Sequence, residues 1–194
     1  NMLTLLIVIF VIDYAAIGKL LHETGFAGTL RTTSRSRIIT TKEHESMGII
    51  MDRKVEFSTL VRAQPERVYD SIATAEGLDG WFTKGATVDS NAGGEIHFRW
   101  KDHGLENYTG ENGGPILEAR RPERFVFRWK ADSGSYLTTV EIDFTPVASG
   151  TVVKLMEYGY EDSPVGMQDF LNRVTGWAQA LTLLKFYVEH GVKY

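Results

Sequence analysis

Tyr108, Glu118, Glu141 and Glu157 fall in the strand-like middle of the chain, among many aromatic residues. Carboxylates and phenols in such surroundings are the groups that general acid–base catalysis recruits, provided that one is buried, shifted in pKa and facing a pocket. Alternation sets Glu141 on the face opposite Val140 and Ile142, so this carboxylate should point to solvent. Metal chemistry finds little support. His22 and His44 lie in the first fifty residues, His190 closes the last helical segment, where a cation suits the helix dipole, and His97 and His103 bracket an expected turn. The absence of cysteine excludes a thiol nucleophile, a thiolate metal site and a disulfide framework. No G-x-S-x-G, Walker or G-x-G-x-x-G motif is present, and the N-Y-T at 107–109 reads as a chance sequon. The expectation is a protein without a catalytic motif, a metal or a cofactor.

Aromatic residues are the stronger signal. Trp81, Trp100, Trp129 and Trp177 come from four separate elements, with Phe98, Phe127, Tyr108, Tyr136 and Tyr158 on the same strands. Two readings stand side by side: the rings fill a core between sheet and helix, or they line a cavity there. On the second reading the ligand-binding set is Trp81, Phe98, Trp100, Tyr108, Phe127, Trp129 and Trp177. Trp81 follows Gly77 and Gly80, which could let the "LDGWF" segment move as a lid, and so is expected at the pocket rim.

The elements that must position these residues are readable from periodicity. "KVEFSTLV" (54–61) alternates as a strand, Pro65 opens a helix carrying Val68 and Ile72, and a second short turn holds Leu78 and Trp81. Six strand segments follow: "GATVDS", "GEIHFRW", "GPILEAR", "ERFVFRWKA", "YLTTVEIDFTPV" and "TVVKLMEYGY". They are separated by turn formers, including the glycine pairs at 93–94 and 113–114. After Pro164, Phe170, Val174, Trp177, Leu181, Leu184 and Val188 recur at three- and four-residue steps on one long helix that stops at Gly191. Gly176 in mid-helix marks either a close approach or simple tolerance. The fold class is α+β, a curved antiparallel sheet wrapped around the long C-terminal helix, with two short helices after the first strand.

Composition bounds the rest. The 194 residues are 43% hydrophobic and 24% charged, enough for one core of ordinary size. Residues 1–50 hold five Lys/Arg against four Asp/Glu, and residues 51–194 sixteen against twenty-one. An acidic domain without a basic stripe is a poor fit to nucleic acid. Residues 1–50 combine an apolar run, 3–21, with a polar Ser/Thr/Arg-rich linker. That run includes Asp13 and Lys19, no positive charge precedes it, and a spanning helix needs about 20 apolar residues. A membrane anchor, a cleaved signal peptide and an extension outside the fold compete. The extension is favoured, with the folded domain at 51–194 and a cytoplasmic location; anchoring through residues 3–21 is the alternative.

The phrases "AQPERVYDSIATAEGLDGWF", "GGEIHFRW", "RPERFVFRW", "TTVEIDF" and "TGWAQALTLLKFYVEHG", in this order, resemble the START-like helix-grip superfamily (SRPBCC; START/Bet v-like). Within it they resemble the branch of homologues of the activator of heat shock protein 90 ATPase, over about residues 53–194. The resemblance implies the helix-grip fold. It leaves function open, because such members include binders, transfer proteins and a few enzymes. An apolar small-molecule binding domain is the leading reading. A cyclase- or hydrolase-type enzyme using the same cavity is the alternative, and a chaperone-interaction module is the third. The first fifty residues do not resemble the additional N-terminal domain through which eukaryotic activators act, so a chaperone partner is unsupported. A homodimer is compatible with the sequence.

Overall fold

The computed structural model describes residues 49–104 and 107–193. The element order is β1 (Val55–Val61), α1 (Pro65–Ala73), α2 (Ala75–Asp79), β2 (Thr87–Val88), β3 (Glu95–His103), β4 (Tyr108–Arg120), β5 (Arg124–Lys130), β6 (Leu137–Val147), β7 (Gly150–Tyr158) and α3 (Pro164–His190). All seven strands form one antiparallel sheet in the order β1-β7-β6-β5-β4-β3-β2. This is the helix-grip architecture, with the long α3 laid against the apolar face of the sheet.

Period-two alternation decides which face is apolar. Phe125, Phe127 and Trp129 of β5 stand opposite Ile142, Val140 and Thr138 of β6, and Val140, Ile142 and Phe144 stand opposite Glu157, Leu155 and Val153 of β7. Helix α3 meets this face with Trp177, Ala180, Leu181, Leu184 and Val188 buried. Its start is fixed by Ser163, whose hydroxyl accepts from the Gly166 amide at 3.0 Å, and by Pro164 in the first turn. Its end is Gly191 at φ 69°. A Cβ at Gly176 would meet nothing within 4 Å, so tolerance rather than close approach accounts for that residue.

Three expectations about the strands are corrected. "GATVDS" yields only the two-residue β2. His97 and His103 lie on the single strand β3, and the turn follows them. "ENGG" (111–114) is not a turn but the interior of the thirteen-residue β4. A Cβ at Gly113 would stand 2.2 Å from the Ile96 carbonyl oxygen, and one at Gly114 2.5 Å from that of Arg128. The backbone of β4 passes too close to both neighbouring strands for a side chain, which is the other circumstance that selects glycine in a strand.

The folded chain already engages at Ile49, whose carbonyl accepts from the Asp162 amide at 2.6 Å; the Met51 amide donates to the Tyr160 carbonyl at 2.8 Å. The apolar run at 3–21 lies outside the described residues. Among the described residues no helix is long and apolar enough to cross a membrane.

Candidate functional site

Six rings of the expected aromatic set contact one another in one run, and Trp81 joins it through a ring outside that set, Phe82. Phe82 stacks on Trp81 (4.9 Å between centroids, 20°) and meets Phe98 and Trp100 edge-on at 6.2 and 5.4 Å. From Phe98 the run continues to Phe127 (5.6 Å) and Trp129 (5.4 Å), and from Trp129 to Trp177 on α3 (5.2 Å). Trp100 carries it outwards to Tyr108, which is 52% exposed.

These rings serve different spaces. Trp81, Phe82, Phe98, Phe127 and Trp177 border an internal cavity between sheet and helix of only about 20 Å³, room for roughly one water molecule. Trp129 is buried beside it without lining it. Phe82 and Trp100 also wall an outer cleft of about 300 Å³, together with Thr83, Lys84, Lys101, Asp102, His103 and Gly104. The interior is thus close-packed, and the larger space lies on the outer side of Phe82.

Trp81 is not at a rim. It is 5% exposed, and its Nε1 donates to the Ser71 carbonyl of α1 at 2.8 Å. The nearby glycines are packing positions rather than lid hinges. A Cβ at Gly77 would fall 2.0 Å from the Asp70 carbonyl oxygen, and one at Gly80 2.3 Å from the Tyr187 hydroxyl. The segment that follows is braced by Asp79, which accepts from Thr83 Oγ1 (2.7 Å) and the amides of Gly85 (3.0 Å) and Ala86 (2.9 Å). Burial alone would raise the Asp79 carboxyl, but these bonds outweigh it and hold the pKa below its ordinary value. The Lys84 amide donates to the Arg99 carbonyl at 2.8 Å and ties this wall of the cleft to β3. His103 has its pKa lowered by burial and by the charge of Lys84, which favours the neutral ring.

Of the four polar candidates, only Glu157 is inside. Glu118 and Glu141 lie on the opposite face of the sheet, where Arg124 meets them at 3.0 and 2.7 Å and Asp143 at 2.6 Å, and Tyr158 donates to Glu141 at 2.7 Å. Glu157 is fully buried. Its Oε1 accepts from Trp129 Nε1 (2.9 Å) and Thr138 Oγ1 (2.5 Å), and its Oε2 from Trp177 Nε1 (2.5 Å). Arg173 stands beside it, Nε 3.6 Å from Oε1, with its guanidinium 4.1 Å above the Trp129 ring and ion-paired to Asp132 at 2.9 Å. One turn earlier, the buried Asp169 accepts from the Ser133 amide (2.9 Å), Ser133 Oγ (2.8 Å) and Tyr136 Oη (3.0 Å). Tyr160 is also fully buried; burial and the Glu157 charge push its pKa up and keep it protonated.

Sequence reasoning proposed Glu157 but missed Asp169 and Arg173. The signal was present: Asp169, Arg173, Trp177 and Leu181 recur every four residues and share one face of the helix. Most of the cluster's donors and acceptors are spent on one another, with Tyr160 Oη and Arg173 Nε left without a hydrogen-bond partner among the described residues, and this suits positioning of the rings better than proton transfer. Among the described residues no group of three or more His, Cys, Asp or Glu could hold a metal ion.

The sequence model of the family described as activator of Hsp90 ATPase homolog 1-like protein matches residues 62–189. The chain belongs to this family. No curated protein matches it. Solved structures similar to this Hsp90-activator-homologue domain include the Aha1 dimer from Colwellia psychrerythraea, at 20% identity and a TM-score of 0.58, covering 72% of this chain and 98% of that one. A protein from Staphylococcus saprophyticus is 23% identical with a TM-score of 0.59, covering 73% and 96% respectively. DynU16, a protein of the dynemicin biosynthetic locus, is 17% identical with a TM-score of 0.62, covering 74% and 51%. At such identities the likenesses speak for the fold of the Hsp90-activator-homologue domain and not for its activity.

Proposed function

We propose that the chain is a small-molecule binding domain whose ligand lies in the outer cleft against Phe82 and Trp100. The observation that carries this reading is the position of Phe82, which walls both the cleft of about 300 Å³ and the residual internal cavity of about 20 Å³. The cleft matches the lower end of the volumes that small-molecule pockets occupy, roughly 300–1,000 Å³, and it pairs aromatic walls with a few polar groups. An enzyme using Glu157 is the weaker reading, because that carboxylate already accepts three hydrogen bonds and is shielded by Trp177. Titration with the uncharged dye Nile red tests the proposal. Saturable binding is expected, weakened about tenfold by Trp100→Ala, with little change in urea unfolding because the indole is only partly buried. Failure of the folded chain to bind the dye, or binding indifferent to Trp100→Ala, overturns it.

A further inference from the structure

We infer that the ligand of the outer cleft is a flat aromatic anion, its ring held in the corner between Phe82 and Trp100 and its negative charge held by Lys84 and Lys101. This rests on the small-molecule reading above and goes further by assigning the ligand's shape and charge.

Shape comes from the rings. Phe82 stands at 81° to Trp100 with centroids 5.4 Å apart, and at 88° to His103 at 6.0 Å. A planar ring set in this right-angled corner meets one wall face-on and the other edge-on, the two arrangements that aromatic quadrupoles favour. Trp100 is in turn nearly parallel to Phe98, 7° apart, so the indole plane is held from behind by a buried ring. The corner is therefore formed before any ligand arrives, which limits the ordering cost of binding.

Charge comes from the rim. Among the described residues that line the cleft, Lys84 and Lys101 stand against one acid, Asp102, while residues 51–194 as a whole carry more acid than base. Both lysines are exposed, and among the described residues neither has an ion-pair partner. On a domain of the opposite net sign, two ammonium groups around an aromatic corner favour an anion locally and disfavour a cation. The chemistry does not separate a carboxylate from a phosphate ester on such a ring; a carboxylate serves as the probe.

The test titrates the full chain with naphthalene carboxylate, the neutral naphthalene carboxamide and naphthylmethylammonium. The carboxylate should bind at least about fivefold tighter than the amide, the size that two exposed charge contacts supply, and the ammonium compound most weakly. Salt of about 0.5 M should erase most of that preference. A Lys84→Met/Lys101→Met double variant should abolish the carboxylate's preference over the amide. Asp102→Asn should strengthen carboxylate binding; Asp102 has φ 51°, a conformation that asparagine tolerates, so this variant should fold. Equal binding of carboxylate and amide, or a preference that survives loss of both lysines, overturns the inference while the small-molecule reading stands. Binding of none of the three overturns the inference, and the small-molecule reading falls with it only if Nile red fails to bind as well.

Discussion

Glu157 does at one position what several core residues do elsewhere. It has Val140 on one neighbouring strand and Val55 on the other, so its charge sits in a row of apolar side chains, and it draws Trp129, Thr138 and Trp177 onto a single carboxylate. Buried acceptors of this kind are costly to strand, about 1–3 kcal/mol for each lost donor. Trp177 therefore contributes in two separable ways, as volume and as a donor. Trp177→Phe keeps most of the ring but leaves Glu157 Oε2 without its indole, and should lose about 1–3 kcal/mol in urea unfolding. Trp177→Ala adds a cavity and should lose at least about 3–5 kcal/mol, more than truncation of the partly buried Trp100. If Trp177→Phe unfolds with the parent chain, the hydrogen bond is not part of what holds α3 to the sheet.

At the scale of elements, Gly114 of β4 and Gly176 of α3 answer differently to the same change. An alanine at Gly114 would push its Cβ into the Arg128 carbonyl, and overpacking against backbone should cost about 1–3 kcal/mol. An alanine at Gly176 meets open space and gains up to about 1 kcal/mol of helix propensity. Paired melting curves should move in opposite directions; a shift of the same sign would remove the close-approach account of β4. The outer face of β4, β5 and β6 is bound by Arg124. Burial would raise the Glu141 carboxyl, but the Tyr158 hydroxyl and the Arg124 guanidinium outweigh it and hold the pKa below the ordinary 4.5. A depressed carboxylate contributes stability above its ordinary pKa and loses it as pH falls through the folded value. Arg124→Met should thus cost about 1 kcal/mol near neutrality, with the gap to the parent narrowing below pH 4.5. A gap that stays constant down to acid unfolding would place the effect in packing instead.

Much of the whole molecule was legible before its structure. Alternation in β5, β6 and β7 and the stripe from Trp177 to Val188 define the two faces that meet, and local phrases led to the fold because each element's pattern agrees with its place in the sheet. What stayed hidden depends on distance in space. The composition of "ENGG" is that of a turn, and only its neighbours, Ile96 and Arg128, turn it into a place of close approach. Trp81 looks like a rim residue until the Ser71 carbonyl, ten positions back, is seen to receive its N–H. The division of labour between the outer cleft and the filled interior rests on Phe82, whose sequence neighbours say nothing of the two spaces it separates.

The small size of the internal cavity has a mechanical consequence. Hydrostatic pressure unfolds proteins largely by eliminating internal voids, with volume changes of about −20 to −100 mL/mol. The cavity under α3 has room for about one water molecule, so it offers compression little to collapse. The parent chain should accordingly resist pressure well for its thermal stability, and Trp177→Ala, by hollowing the space under α3, should unfold with a distinctly more negative volume change. High-pressure fluorescence of the remaining tryptophans measures both. Equal volume changes for the two chains would mean that the sheet and helix close up around the missing indole, and the interior would then be an elastic body rather than a set of fixed rings.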